Sequence, residues 1–163
     1  MSRLVPFALV LFAAMAPAAA ADPWSGWAPG VPRFAFAAGV SEVGDPEVIL
    51  RYDWLDLGGI APLVGLSIAA NGSGWIGAGL GLRHRFRQSR VFIEASVMPG
   101  LYRQGAGRDL GGAFQIRSSL ALGYETASAT RISLGLDHRS NANLNRPNPG
   151  LNMVWLMVSM PLR

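Results

Sequence analysis

The chain has no cysteine and no lysine; all 14 of its basic residues are arginine, in a sequence of 163 residues with a formal net charge of +4. Lack of cysteine rules out a disulfide framework and thiolate metal sites. Charge is scarce as well, since Asp, Glu and Arg make up 15% of the chain while half of it is hydrophobic. That is oily for a soluble domain. The arginines are scattered, and nothing resembles a nucleic-acid-binding module. Beyond the N-terminus no run approaches the roughly 20 uninterrupted apolar residues that an α-helix needs to cross a bilayer. An oily chain of single-domain length without a spanning helix calls for another way of meeting lipid.

The N-terminus reads as an address. Arg3 gives a basic start, Leu4 to Ala16 is apolar, and Pro17 precedes the small residues Ala18, Ala19, Ala20 and Ala21, the pattern of a secretory signal peptide. Cleavage is expected after Ala21, with residues 22–163 forming a single barrel domain. The rival, a retained anchor, is disfavoured because the apolar core is short.

Turn residues then divide the chain into segments of barrel-strand length. Strands are expected at Arg33 to Ser41, Glu47 to Asp56, Ala61 to Ala70, Trp75 to Arg87, Arg90 to Tyr102, Gly112 to Glu125, Thr130 to Ser140 and Leu151 to Met160. Their number is even, as closure of a simple bacterial barrel requires.

Alternation with a period of two sets the fold class. In the fourth segment Ile76, Ala78, Leu80, Leu82 and Phe86 share one face, and Trp75, Gly77, Gly79, Gly81, Arg83, Arg85 and Arg87 the other. In the sixth, Phe114, Ile116, Leu120 and Leu122 oppose Gln115, Arg117, Ser119 and Glu125. A soluble barrel would turn the oily face inward, overfilling its interior and leaving rows of charge outside. The reverse arrangement places the apolar face in lipid and pairs the charges within the lumen. The expected fold is therefore all-β, an eight-stranded antiparallel transmembrane β-barrel. Glycines at alternate inward positions of the fourth strand leave room in a narrow lumen, whereas a nucleotide-binding glycine loop would need a strand-to-helix context that is missing.

Lumenal Arg83, Arg85 and Arg117 are expected to pair with Glu94, Glu125 or Asp53. Arg103, Arg108, Arg139 and Arg146 lie at strand ends or in loops, where guanidinium groups suit either solvent or lipopolysaccharide phosphates. The connections at Gln104 to Gly111 and Asn141 to Gly150 are longer than those near Leu57 to Ile60, Gln88 to Ser89 and Thr126 to Ala129. Long loops are external in such barrels, so the end of strand seven is expected at the outer leaflet.

That end carries chemistry. Ile132, Leu134, Leu136, His138 and Ser140 have one parity, so an imidazole and a hydroxyl continue the lipid-facing row. At about 3.3 Å per residue, i and i+2 neighbours on one face stand roughly 6.5–7 Å apart, a gap that side-chain rotation closes. A neutral His138 would take the Ser140 proton as the oxygen attacks an ester carbonyl, then return it to the leaving alcohol. The plainer reading is a pair of polar residues at a membrane boundary. His84 reads as interfacial, and two histidines on different strands without a carboxylate cluster give no metal-ligand set. No cofactor is expected.

The stretch His138-Arg139-Ser140-Asn141-Ala142, followed by Asn148-Pro149-Gly150, resembles the outer-membrane lipid A 3-O-deacylase family. The resemblance is concentrated in about the last 30 residues, and the compatible barrel layout extends over the rest. It implies an active site on the lipid-facing exterior that hydrolyses the ester-linked acyl chain at position 3 of lipid A. Ser140 would be the nucleophile and His138 the general base, with Asn141 and the backbone amides of Asn141 and Ala142 as oxyanion candidates. The partners implied are lipid A or lipopolysaccharide and outer-membrane lipids. This chain departs from the family at Asn152, where a Glu is expected as the acidic third member. A neutral Asn can accept a hydrogen bond from the imidazole and orient it but supplies no charge. Asp137 is adjacent to His138, yet alternation sends it into the barrel. A hairpin centred near Asn145 would set His138 opposite Asn152. The alternative function is a non-enzymatic barrel that binds or organises envelope components.

Overall fold

The structure, a computed structural model, describes residues 31–55, 57–86 and 89–162. The expected signal peptide, residues 1–21, lies outside them. The strands are β1 Arg33–Ser41, β2 Pro46–Asp53, β3 Ile60–Ala69, β4 Gly74–Arg85, β5 Val91–Arg103, β6 Phe114–Glu125, β7 Arg131–Ser140 and β8 Leu151–Pro161. Each pairs antiparallel with the next, and β8 returns to β1 to close the barrel. Closure leaves no open edge, so the ladder satisfies the backbone polar groups that a bilayer would not.

The alternation becomes two surfaces. In β7 Leu134 and Leu136 are 59% and 60% exposed while Ser133, Gly135 and Asp137 around them are buried. Phe34, Phe36, Leu50, Val64, Leu66, Ile76, Leu80, Leu122 and Leu156 extend the apolar exterior around the barrel. In water this belt would be a large unfavourable patch; in lipid it is the solvated face.

The lumen is filled. One apolar cluster joins Ala35, Ala37, Ile49, Ala121, Met153, Trp155 and Met157, and another joins Ala61, Leu63, Trp75, Met98, Tyr102, Leu110 and Leu151. Charges interleave with them. Arg51 donates to Asp53 at 2.7 Å and to Glu94 at 2.6 Å, and Arg83 reaches both of the same carboxylates. A void of about 20 Å³ beside Arg51, Trp75, Arg117 and Trp155 is room for about one water, far short of a channel. Gly79 in β4 is a steric necessity: a Cβ there would lie 1.9 Å from the Val97 carbonyl oxygen of β5.

Some expected pairings change partners. Arg83 does meet Glu94 and Asp53, but Arg117 pairs with Asp137 and Glu47, and Glu125 is taken by Arg131 at 2.7 Å. The Arg85 Nε–H donates to the carbonyl of Ser89 in the β4–β5 turn. Arg139 is only 1% exposed and binds Glu47 at 2.7 Å, with its guanidinium carbon 5.6 Å from the Tyr102 ring centre. It belongs to the lumen and is unavailable to lipid phosphates, as its odd parity in β7 requires.

Candidate active site on the barrel exterior

Register decides which side chains meet. Across β6 and β7 Ser118 stands opposite His138, and across β7 and β8 His138 stands opposite Asn152. The β1–β8 ladder ends at Ser41 opposite Met153, and one step further the Glu42 N–H donates to the Asn152 carbonyl oxygen at 2.9 Å. Ser118, His138, Asn152 and Glu42 therefore form a polar row on the exterior, at the rim beneath the β5–β6 and β7–β8 loops.

Along that row the hydrogen bonds form a chain. His138 Nδ1 lies 2.8 Å from Asn152 Oδ1, and Asn152 Nδ2 donates to Glu42 Oε2 at 2.7 Å. Arg108 of the β5–β6 loop donates to Glu42 Oε1 at 2.6 Å and to the Gly150 carbonyl at 2.9 Å. The Asn152 amide and Arg108 together hold the Glu42 carboxyl below the usual carboxylate range.

Ser140 stands two residues beyond His138 on the same face, and both are half-buried. Ser140 Oγ makes no hydrogen bond among the described residues, which leaves it free for a ligand. With Nδ1 committed to Asn152, the ring nitrogen left for Ser140 is Nε2. Unliganded sites commonly hold such pairs apart and tighten them around substrate. Gly150 lies against the Cε1–Nε2 edge of the ring: its φ is +70°, and a Cβ there would lie 2.6 Å from His138 Cε1 and 3.3 Å from Nε2.

The residues after Ser140 build the loop. Asn141 is fully buried, and its Nδ2 donates to the carbonyls of Leu110 and Asn145, both at 2.9 Å. Its own N–H donates to Asn148 Oδ1 at 3.1 Å. Asn141 thus pins the β7–β8 loop to the β5–β6 loop, and its side-chain amide is withdrawn from the exterior. Ala142 and Asn143 follow with φ of 54° and 64°, and Ala142 is exposed with its N–H unbonded among the described residues.

Asp137 points inward onto Arg117, as alternation requires. Of the sequence-level candidates, the fold joins His138 to Asn152 and sets Ser140 beside them. Ser118 and Glu42 join the row without having been singled out. Among the described residues no group of three or more His, Asp or Glu is arranged to hold a metal ion. His84 lies on β4, edge-on to Phe86 with ring centres 5.9 Å apart.

Residues 48–161 match the family described as lipid A 3-O-deacylase (PagL). The chain belongs to the PagL family. A curated PagL relative, the lipid A deacylase PagL of Bordetella bronchiseptica, is 30% identical over 113 residues, which cover 68% of this chain and 58% of that protein. The chain therefore matches a little over half the length of that relative. The crystal structure of the outer-membrane enzyme PagL superimposes with a TM-score of 0.69 at 18% identity, covering 80% of this chain and 99% of that one. Neisserial surface protein A shares the architecture, with a TM-score of 0.54 at 15% identity and coverage of 80% and 94%. The PagL match takes in His138, Ser140 and Asn152; Glu42 precedes it.

Proposed function

We propose that the protein is an outer-membrane lipid A 3-O-deacylase that uses Ser140 as nucleophile and His138 as general base. The observation that carries this reading is the lipid-facing row in which His138 Nδ1 is held by Asn152 while Ser140 is unbonded beside it, in a chain of the PagL family. An exterior site reaches a substrate that is itself a membrane lipid without extracting it.

The chemistry follows from this arrangement. Ser140 Oγ attacks the carbonyl carbon of the 3-linked ester as its proton passes to His138 Nε2. The tetrahedral intermediate collapses, the C–O bond to the sugar breaks, and the imidazolium returns the proton to the departing alkoxide. Water then attacks the acyl-serine through the same base, releasing a fatty acid and restoring Ser140. The Ala142 N–H, unbonded among the described residues, is the available oxyanion donor in this scheme. The Asn141 amide would first have to leave Asn148, and its buried side chain serves the loop instead.

Mass analysis of lipid A from cells with and without the protein tests the reading. Loss of one 3-linked acyl chain is expected in cells that carry it. Unchanged lipid A would favour the non-enzymatic barrel, the reading to which the absence of an acid at position 152 gives weight.

A further inference from the structure

We infer that Glu42 is a positioning residue: through Asn152 it supplies the acidic end of a four-residue chain, Arg108–Glu42–Asn152–His138, and fixes the histidine tautomer that a general base requires. This inference rests on the esterase reading of His138 and Ser140.

The Asn152 amide has two unlike ends, and nothing in the residue itself decides whether its carbonyl or its NH₂ faces His138. Glu42 decides it. A carboxylate only accepts hydrogen bonds, so it claims the Nδ2 end at 2.7 Å and turns Oδ1 toward the ring at 2.8 Å. An accepting Oδ1 demands a proton on Nδ1, and a neutral imidazole protonated there has its lone pair on Nε2, the nitrogen left for Ser140. With the amide flipped, the NH₂ would select the opposite tautomer and place a proton where the base must accept one. The wrong tautomer is a severe defect in Ser-His-acid enzymes.

Glu42 is itself placed in two ways. Its N–H binds the Asn152 carbonyl at 2.9 Å, so backbone and side chain clamp the same residue. Arg108 holds the other carboxylate oxygen at 2.6 Å, and the Asn152 amide first, with Arg108 beside it, lowers the proton affinity of Glu42 and keeps it ionised and accept-only. The neutral Asn152 is thus backed by a carboxylate one residue away, itself paired with Arg108 and delivered across the β1–β8 seam by a residue 110 positions distant in sequence.

The test is a charge-relocation cycle on full-length protein folded in detergent: wild type, Glu42→Gln, Asn152→Asp and the double variant. Deacylation is followed on lipid A in mixed micelles, and the His138 tautomer by ¹⁵N NMR, with His138→Ala to assign the signal. Glu42→Gln should lower kcat by about 10- to 100-fold, as loss of a hydrogen-bond partner behind a metal-ligating histidine does, with little change in KM, and should move the His138 signals away from the Nδ1-protonated pattern. Asn152→Asp in the Glu42→Gln background should return both readouts to near wild type, because a carboxylate at position 152 accepts from Nδ1–H whichever way it turns. Asn152→Asp alone should be less active than the double variant, since two carboxylates then abut. An unchanged tautomer in Glu42→Gln overturns the inference. So does a loss of activity in Glu42→Gln that the added Asn152→Asp change fails to rescue, which would mark Glu42 as a brace for the loop. If the wild type cleaves no lipid A, the esterase reading falls, and the tautomer comparison alone decides the role of Glu42.

Discussion

Gly150 and His138 are in such close contact that a single methyl group on Gly150 would lie 2.6 Å from Cε1 of the imidazole. The glycine of the Asn-Pro-Gly stretch thus has two reasons to be there. Its φ of +70° costs an L-residue about 1–2 kcal/mol, and its missing side chain is the space that the ring occupies.

Gly150→Ala should therefore displace the imidazole from Asn152 and Ser140 while the barrel, anchored by its ladders, still forms. Deacylase activity should fall by at least about 10-fold, with heat-modifiable migration on gels unchanged. Full activity in a folded Ala variant would show that the ring position is not set by this contact.

The barrel is largely legible in the sequence because lipid enforces alternation: β1 spans Arg33–Ser41 as expected, and the inward and outward faces of β4 and β6 follow parity. Errors fall where alternation gives no signal. β6 begins at Phe114 rather than Gly112, because Gly111 and Gly112 take φ of 78° and 132° and curl the loop away from the ladder. β2 ends at Asp53 rather than Asp56. Charge partners in the lumen depend on distance across the barrel, which no single strand reports, so parity alone cannot direct Arg117 to Asp137 and Glu47. The hairpin arithmetic that sets His138 opposite Asn152 holds. Glu42 escapes a strand-by-strand reading because only the closing β1–β8 register brings it beside Asn152. The available clue is its parity with the lipid-facing Phe34, Phe36, Ala38 and Val40 of β1.

The lumenal charges make a separate prediction. Glu94 bridges Arg51 and Arg83, all three being about 5% exposed or less. Glu94→Gln leaves two buried guanidinium groups sharing Asp53, and breaking such a buried cluster costs about 3–5 kcal/mol. Urea unfolding from detergent should show a loss of that order, while activity per folded molecule stays near wild type because the site lies on the other side of the barrel wall. Unchanged stability would mean that the network is dispensable to the fold.

Ser140 and His138 must act together on an ester of lipid A if this barrel is a deacylase. Purified wild type, Ser140→Ala and His138→Ala, each shown to be folded, are incubated with lipid A in mixed micelles and the products weighed by mass spectrometry. Loss of one 3-linked acyl chain with wild type, and intact lipid A with both variants at more than about 1,000-fold lower rate, is the predicted result. Deacylation at near wild-type rate by either variant would contradict it.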